Sequence, residues 1–221
     1  MKRTLGLSLV FGVSLTLAAC ASRDEEPTHT SSDALRGLNK EEALEELAQV
    51  GAAIRGFYGP LEYKKERFGF DLDRELADAR AAIEAGETEA DRVRPVYELL
   101  AKLRDGHVGY NYPLRADDSV EASLPFILTP IEGEYVVART LNPELPIAVG
   151  DTLVAIDGRG VEELERQIAP IVWSGTPEAT RHSLAIRMTI RPFYVPRELR
   201  VAEGATGQVI LQRANGEYYV V

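Results

Sequence analysis

Asp105-Gly106-His107 is the first grouping in the chain whose residue types could do acid–base or metal chemistry. It places an imidazole two residues from a carboxylate, a combination typical of general bases and of metal ligands. No further ligand residue follows at metal-binding spacing, so we predict no metal. We expect instead that Gly106 turns the chain out of a helix while Asp105 and His107 bond to the backbone of that turn. A catalytic or metal-binding pair is the alternative.

A nucleophile site is the second possibility, because Ser174, His182 and Asp157 are the residue types of a catalytic triad. Their spacing fixes no geometry, and Thr176-Pro177 accounts for this region as the start of a helix. We therefore assign no catalytic residue. Trp173 follows two apolar residues, which favours a packing role over a platform for a ligand.

The thiol of Cys20 is the third reactive group, and it belongs to the only cysteine among 221 residues. Residues 1–19 have a basic start, a short apolar stretch and small residues before the cysteine, the pattern of a lipoprotein signal peptide. We predict cleavage between Ala19 and Cys20 and diacylglyceryl transfer to the thiol, which with an amide-linked chain would anchor the protein stably. An uncleaved membrane helix is the alternative, but it would need about 20 apolar residues, more than this stretch contains.

The composition describes an acidic, globular chain. Hydrophobic residues make up 45% and charged residues 27%, which is typical of a folded protein. With Cys20 acylated no disulfide can form, so core packing alone must hold the fold. The formal net charge is −10, and it becomes two units more negative if Lys2 and Arg3 leave with the signal. We expect no nucleic-acid partner, because phosphate binding needs a basic surface. We also expect no cofactor.

The region after the signal begins with a tether and a helical unit. Residues 20–37 are polar and lack an apolar period, which predicts a lipidated, disordered tether. Residues 38–106 form the predicted helical unit. Its first helix begins after a capping-box pair, Asn39 and Glu42, and should end near Phe57 before Gly59 and Pro60. Two more helices are expected, one from Asp71 to Gly86 and one from Thr88 to Leu103.

Residues 107–221 change to the shorter apolar runs of strands, so the whole chain is predicted to be α+β. The predicted strands are 107–112, 124–129, 134–139, 151–156, 208–213 and 217–221. Asp157-Gly158 should form a turn, and Asn215-Gly216 should form a type I′ hairpin turn because both residues tolerate left-handed backbone. Helices are expected at 161–168 and from Thr176 to a point before Pro192.

Two segments of the chain resemble signatures of one family. Residues 99–108, LLAKLRDGHV, are similar to the Asp-Gly-His end of the N-terminal helical region in tail-specific, or C-terminal-processing, serine peptidases. Residues 147–161, IAVGDTLVAIDGRGV, resemble the PDZ-domain signature that follows in that family. Its motif positions are Gly150, Asp151, Ile156, Asp157 and Gly158. The resemblance spans roughly 38–221 and implies a helical unit followed by a strand pair and a PDZ-like, partly open β-barrel with helices over 107–221.

The catalytic domain of that family is expected to be absent here. The resemblance implies peptide hydrolysis by a serine nucleophile with a lysine general base, both in a domain beyond the PDZ-like unit. This chain has no lysine after Lys102, no G-x-S-x-G elbow and no S-x-x-K motif. We therefore expect the noncatalytic half of a peptidase architecture. An N-terminal fragment of an active peptidase, or one chain of a split enzyme with a separate catalytic chain, is the alternative.

The resemblance implies peptide binding as the function. PDZ domains pair an extended peptide with a sheet edge and hold its terminal carboxylate in backbone amides. The segment 141–146, LNPELP, departs from the usual S-P-A-x-x-A-G, and its two prolines would stiffen or close the ligand loop. We expect the partners to be protein C-termini or unfolded segments. A PDZ-shaped spacer without a ligand and a structural envelope lipoprotein are the alternatives.

The lipid on Cys20 would place the protein in the cell envelope. Ala21 follows the cysteine in place of the aspartate that retains many lipoproteins at the inner membrane. We therefore expect the outer membrane, facing the periplasm, in a cell with two membranes, and the outer face of the cytoplasmic membrane otherwise.

Overall fold

The computed structural model describes residues 38–110, 122–172, 175–191, 199 and 206–221. The predicted signal peptide and tether, including Cys20, lie outside these ranges, as do Trp173 and Ser174. Within them, six helices and an open antiparallel sheet make an α+β fold, as the sequence predicts. No helix in the described part of the chain is both long and apolar enough to cross a membrane.

The first helix, α1 (Lys40–Phe57), has the bounds that its capping signals predict. The Asn39 side chain accepts the N–H of Glu42 at 2.9 Å, and the Glu42 carboxylate accepts the N–H of Asn39 at 3.0 Å. This reciprocal pair satisfies two N–H groups that have no partner within the helix. The buried face carries apolar residues at helical spacing, namely Ala43, Leu47, Val50 and Ile54.

The second helix, α2 (Leu61–Phe68), is missing from the sequence prediction, which takes Gly59 and Pro60 only as a stop signal. Pro60 occupies the N-cap position, where the absence of an N–H costs no helical hydrogen bond. Gly69 ends the helix with a φ of +67°. The buried residue of α2 is Lys64, so the helix has no apolar stripe from which periodicity could identify it.

Two capped helices complete the helical unit, α3 (Leu72–Ala85) and α4 (Glu89–Lys102). Asp71 caps α3 by accepting the N–H groups of Asp73 and Arg74, and Thr88 caps α4 by accepting the N–H of Asp91, which confirms both predicted starts. The helix α3 packs against α1 and α4, and the buried apolar residues of the three helices face one another.

Eight short strands follow in the described ranges: β1 (Ala122–Ser123), β2 (Phe126–Ile131), β3 (Glu134–Thr140), β4 (Thr152–Ile156), β5 (Arg159–Gly160), β6 (Ile190–Arg191), β7 (Val209–Gln212) and β8 (Tyr218–Val220). The main sheet has the order β2-β3-β4-β7-β8, with β5 paired to β4, and β1 pairs separately with β6. Every pairing is antiparallel. Alternate side chains, such as Phe126 and Leu128, face the core, as expected for a sheet with one covered face.

The tight turns depend on residues that adopt left-handed backbone. Glu132-Gly133 joins β2 to β3 and Asp157-Gly158 joins β4 to β5, and all four residues have positive φ, as type I′ turns require. The type I′ prediction for Asn215-Gly216 is wrong, because only Gly216 has a positive φ, at +86°. The Arg213 N–H donates to the Glu217 carbonyl at 2.9 Å, closing a three-residue loop that ends in this glycine.

The predicted strand over 107–112 is also wrong where the structure describes it. Residues 107–110 are not in a strand, and the N–H of Val108 donates to the carbonyl of Asp105 at 3.2 Å. The chain therefore turns after α4 instead of pairing. Val108 and Tyr110 are buried, so their apolar character reflects packing against the core and not a strand period.

The remaining elements connect the sheet to the helical unit: α5 (Val161–Ile168), a 3₁₀ turn (Ala169–Ile171) and α6 (Pro177–Thr189). The Thr176 hydroxyl accepts the N–H of Ala179 at 3.1 Å, which confirms the predicted cap of α6. The helix α6 packs on β2, and α4 packs on the 3₁₀ turn, so one hydrophobic core continues from the helices into the sheet.

Candidate functional site

Gly150 and Asp151 lie in the loop before β4. Gly150 has a φ of +98°, and Asp151 is buried. The Asp151 carboxylate accepts the N–H of Ala148 at 2.7 Å and the hydroxyl of Tyr219. Burial and this carboxylate together raise the pKa of Tyr219 to about 12. These contacts fasten the loop to the last strand of the sheet.

Ile156, Asp157 and Gly158 close the next turn. Ile156 is buried in the core, while the Asp157 carboxylate accepts the N–H of Gln208 at 2.9 Å. The Asp157 N–H also donates to the Gln208 carbonyl at 2.8 Å. The side chain and the backbone of Asp157 thus both bond to Gln208, the residue before β7. The Asp157 carboxylate therefore has a structural role.

Asp105 and His107 contact each other at the end of α4. The Asp105 carboxylate lies 3.0 Å from Nδ1 of His107, accepts the His107 backbone N–H at 3.0 Å and accepts the Tyr58 hydroxyl at 2.8 Å. Burial acts to raise the pKa of Asp105, but the hydrogen bonds from His107 and Tyr58 outweigh it and lower the pKa below its ordinary value. The His107 side chain is 94% exposed, so its ring is fixed at one nitrogen and open to solvent.

The helix α2 holds this turn from the other side. Lys64 donates to the Arg104 carbonyl at 3.1 Å and lies 5.4 Å from the ring centre of Phe68. The Arg104 guanidinium also lies over that ring, at 5.0 Å. Arg104 has a φ of +50°, an unusual backbone for a residue with a side chain. The sequence predicts that Gly106 alone turns the chain here. In the structure, the left-handed backbone of Arg104, which α2 contacts, also forms the turn.

Replacing Asp105 by asparagine is expected to lower the free energy of unfolding by about 1 kcal/mol at pH 7, the difference between a hydrogen bond to a charged acceptor and one to a neutral acceptor. A carboxylate whose pKa is lowered on folding stabilises the fold above its unfolded pKa, and this contribution is lost as the pH falls through the folded value. The difference between wild type and Asp105→Asn should therefore shrink below about pH 4.

Urea denaturation at pH 7 and pH 3 measures this difference. Asp78→Asn, at an exposed position on α3, is the matched control and should stay within about 0.5 kcal/mol of wild type. An equal difference at both pH values would show that the Asp105 charge does not stabilise this turn.

The residues of the possible triad have separate surroundings where the structure describes them. His182 is exposed on α6, whereas the Asp157 carboxylate accepts the Gln208 N–H described above. Ser174 lies outside the described residues. Across the described ranges, no group of three or more His, Cys, Asp or Glu residues is placed to hold a metal ion.

The start of β2 has few free backbone amides. The N–H of Leu124 donates to the Thr189 carbonyl at 2.8 Å, and Pro125 has no N–H. At the other end of β2, Arg181 donates to the Gly133 carbonyl. The helix α6 is thus fastened to the β2 region at both of its ends, and two consecutive residues before the strand cannot donate to a ligand.

A cleft of about 440 Å³ opens between the end of α4 on one side and the 3₁₀ turn and the start of α6 on the other. Its apolar wall consists of Ala101, Ala169, Pro170, Val172 and Pro177. Charged residues that line it are Glu98, Lys102 and Arg104. A concave apolar wall with a few polar groups is the usual form of a ligand site.

The charged residues that line this cleft differ in whether they pair with a residue of opposite charge. Lys102 pairs with Glu75, and Glu98 pairs with Arg94 at 3.2 Å. Burial raises the pKa of Glu98, although Arg94 and Lys102 act in the opposite direction. Arg104 has no carboxylate partner among the described residues, and its guanidinium stacks on a ring instead.

A second groove, of about 520 Å³, lies between α5 and α6. Two of its lining residues, Glu165 and Arg181, are bound to each other and to a buried neighbour: Arg181 lies 3.7 Å from the Glu165 carboxylate, which also accepts the hydroxyl of Tyr135 at 2.5 Å. Burial and Glu165 raise the pKa of Tyr135, although Arg181 acts in the opposite direction. The Arg181 guanidinium also lies 5.4 Å from the ring centre of Tyr135, so Glu165 and Arg181 both hold this tyrosine in the fold.

Comparison with known proteins relates the fold to a peptidase. No protein-family model matches the chain. An uncharacterised protein of Chlamydia pneumoniae is 26% identical over 155 residues, which are 69% of this chain and 24% of the relative. The crystal structure of mature CPAF, a Chlamydia tail-specific serine protease, is similar with a TM-score of 0.68 and 19% identity. This match covers 82% of the present chain and 34% of CPAF.

The complex of mature CPAF with lactacystin gives the same coverage with a TM-score of 0.67. At this identity the similarity shows the fold alone. The chain thus has a fold similar to that of CPAF and spans about a quarter of the Chlamydia pneumoniae relative and a third of CPAF.

Proposed function

We propose that this chain is a noncatalytic, peptide-binding part of a tail-specific peptidase architecture, held in the cell envelope by a lipid on Cys20. Its partners would be protein C-termini or unfolded segments. Two features support this proposal: the fold is related to that of CPAF, and the sequence after Lys102 contains no lysine that could act as a general base. The lipid anchor rests on the signal pattern of residues 1–20.

The cleft beside α4 is the observation that carries the proposal. A volume of about 440 Å³ admits one or two residues of an extended peptide, and its apolar wall suits their side chains. The cleft lies across the proposed boundary between the helical unit, residues 38–106, and the PDZ-like domain, residues 107–221. A ligand there would contact both proposed domains. The start of β2, where a PDZ domain would take its peptide, offers fewer donors because of Leu124 and Pro125.

A second candidate function is that of one chain of an active peptidase, and the Asp105–His107 contact favours it. A carboxylate bound to Nδ1 orients an imidazole so that its other nitrogen can take a proton from a nucleophile. The exposed ring of His107 would then complete a site whose nucleophile lies elsewhere, on a separate catalytic chain or in a longer form of this one. This role departs from the serine–lysine pair that the family resemblance implies.

Peptide binding is tested by titrating labelled, unfolded peptides into the full chain and following fluorescence anisotropy. We expect saturable binding with dissociation constants between micromolar and millimolar, the range of single peptide-binding modules with small contact areas. Ala101→Phe fills the cleft and should weaken binding at least tenfold, whereas Ala81→Phe, on the exposed face of α3, should leave it unchanged.

Two results would count against this function. One is the absence of binding to the wild-type chain at millimolar peptide, which would favour a structural envelope lipoprotein. The other is equal affinity of wild type and Ala101→Phe, which would move the peptide away from the cleft. Circular dichroism of each variant verifies that it is folded.

A further inference from the structure

Exposed aromatic side chains are concentrated in one short part of the helical unit. Of the four that are exposed in the described part of the chain, three lie between positions 57 and 68. Phe57, the last residue of α1, is 77% exposed, and Tyr63 and Phe68 of α2 are 56% and 39% exposed. A local concentration of exposed apolar side chains indicates a surface that contacts another body.

The two rings of α2 are held in a fixed arrangement by a buried lysine. Their centres lie 6.1 Å apart, and the rings meet edge to face. Nζ of Lys64 lies 6.0 Å from the ring centre of Tyr63 and 5.4 Å from that of Phe68. The same amino group donates to the Arg104 carbonyl. The rings are therefore ordered before any contact, so little conformational freedom is lost when a contact forms.

Two exposed cations border these rings. The Arg104 guanidinium lies 5.0 Å from the ring centre of Phe68. Arg67 is four residues after Tyr63 and so lies one turn along the same face of α2. Both arginines are exposed. We call this surface, made of Phe57, the two rings and the two arginines, the α2 patch.

The α2 patch differs in charge from the protein as a whole. The acids of α2, Glu62 and Glu66, are four residues apart and lie on the next stripe around the helix. The whole chain has a formal net charge of −10, so most of its surface repels anions. A negatively charged surface would therefore attract the protein through the α2 patch and repel it elsewhere.

The combination of aromatic rings with arginines suits a membrane with anionic headgroups. Aromatic side chains favour the boundary between headgroups and hydrocarbon, and guanidinium groups bind the phosphates above it. Neither cleft described above is lined by these rings, so the α2 patch is a broad surface and not a pocket for a small ligand. An extended anionic surface is the partner that matches both its shape and its charge.

The proposed anchor can reach a membrane that the α2 patch contacts. The helix α1 has 18 residues and is about 27 Å long, and α2 follows at its far end. Residues 20–37, between the anchor and the described helices, span at most about 60 Å when fully extended. The lipid and the α2 patch can therefore lie on one membrane surface at the same time.

We infer that the α2 patch binds the anionic headgroups of the membrane that carries the lipid on Cys20. This inference rests on the proposed lipid anchor and does not depend on peptide binding. The anchor alone would leave the folded part free to rotate above the membrane. Contact through the α2 patch would fix one orientation, with the end of α1 at the membrane surface.

The test places an environment-sensitive dye beside the α2 patch of the lipidated full chain in vesicles. Gly59→Cys provides the attachment site between α1 and α2, where an added Cβ meets no atom within 4 Å. The acylated thiol of Cys20 does not react with the dye. Gly160→Cys, on β5, is the matched control, because an added Cβ is equally free there. Spin-labelled lipids quench a dye that touches the membrane.

Vesicles of phosphatidylcholine with about 30% phosphatidylglycerol should quench the dye beside the α2 patch more strongly than the dye on β5, and neutral vesicles should reduce this quenching at least about fivefold. Arg67→Glu should shift the equilibrium between bound and free orientations about tenfold towards the free one. Phe57→Ser should weaken the contact as well. Arg139→Glu and Leu141→Ser make the same changes at exposed positions near the sheet and should have no effect.

Four results would overturn this inference, and they differ in what they leave standing. Equal quenching of the two dyes would show that no face is preferred. Equal quenching in wild type and folded Arg67→Glu would move the contact away from the α2 patch. A dye response that follows protein concentration without vesicles would identify a second copy of the chain as the partner. A chain without acyl mass that does not stay with the vesicles would overturn the proposed anchor together with the inference.

Discussion

Replacing Cys20 by serine is expected to abolish lipid attachment to this protein. The thiol is the nucleophile that takes the diacylglyceryl group, and a hydroxyl does not replace it in that processing. Because cleavage before residue 20 follows lipid transfer, the variant should also keep residues 1–19. Loss of several acyl chains removes the multi-chain anchor that holds a lipoprotein firmly on a membrane.

Mass spectrometry of the membrane and soluble fractions measures this effect. The wild-type protein should carry acyl mass on a chain that begins at Cys20, and the serine variant should carry none. Ser22→Ala changes a neighbouring residue without removing the thiol and should be processed like wild type. A mature wild-type chain that lacks acyl mass would remove the basis for the envelope location.

Replacing Leu100 by alanine is expected to lower the free energy of unfolding by about 2 to 5 kcal/mol. Leu100 is on α4 and has 0% exposure, within the core that continues from the helices to the 3₁₀ turn and the sheet. Truncation there removes buried apolar contacts and leaves a cavity. Without a disulfide in the chain, no covalent link offsets this loss.

Urea denaturation followed by circular dichroism gives the change. Leu141→Ala makes the same truncation at a side chain that is 52% exposed, and it should shift the free energy of unfolding by less than about 0.5 kcal/mol. Similar shifts for the two variants would mean that α4 does not pack into the shared core as described.

The helices that the sequence predicts are those with both a cap and an apolar stripe. Asn39, Asp71 and Thr88 begin α1, α3 and α4, and each is followed by buried residues at helical spacing. The helix α2 has neither signal. Its buried residue is Lys64, which contacts Arg104 and Phe68. A pattern of apolar residues cannot reveal such contacts.

The type of a tight turn is predictable only in part, because it depends on the backbone conformation of both central residues. Asp157-Gly158 is the turn that the sequence indicates, with both residues left-handed. Asn215-Gly216 has the same favourable composition, yet only Gly216 is left-handed. The strand pairing and the hydrogen bond from Arg213 to Glu217 together leave three loop residues, and register is a property of the sheet that the dipeptide does not determine.

The surroundings of the candidate site are predictable only where its contacts are local. The hydrogen bond from the His107 N–H to Asp105 spans two residues and follows from the sequence. The Tyr58 hydroxyl reaches the same carboxylate across 47 residues, and the cleft joins α4 to a segment about 70 residues later. Such contacts result from how α1, α4 and the 3₁₀ turn pack, which local patterns do not encode.

The most direct test of a noncatalytic, peptide-binding chain follows one labelled, unfolded peptide over time in the presence of the full chain. Anisotropy reports binding, and mass spectrometry of the same sample reports the length of the peptide. We expect a raised, steady anisotropy, with the peptide intact after many hours. Time-dependent shortening of the peptide that disappears in His107→Ala would contradict this expectation and establish a catalytic chain instead.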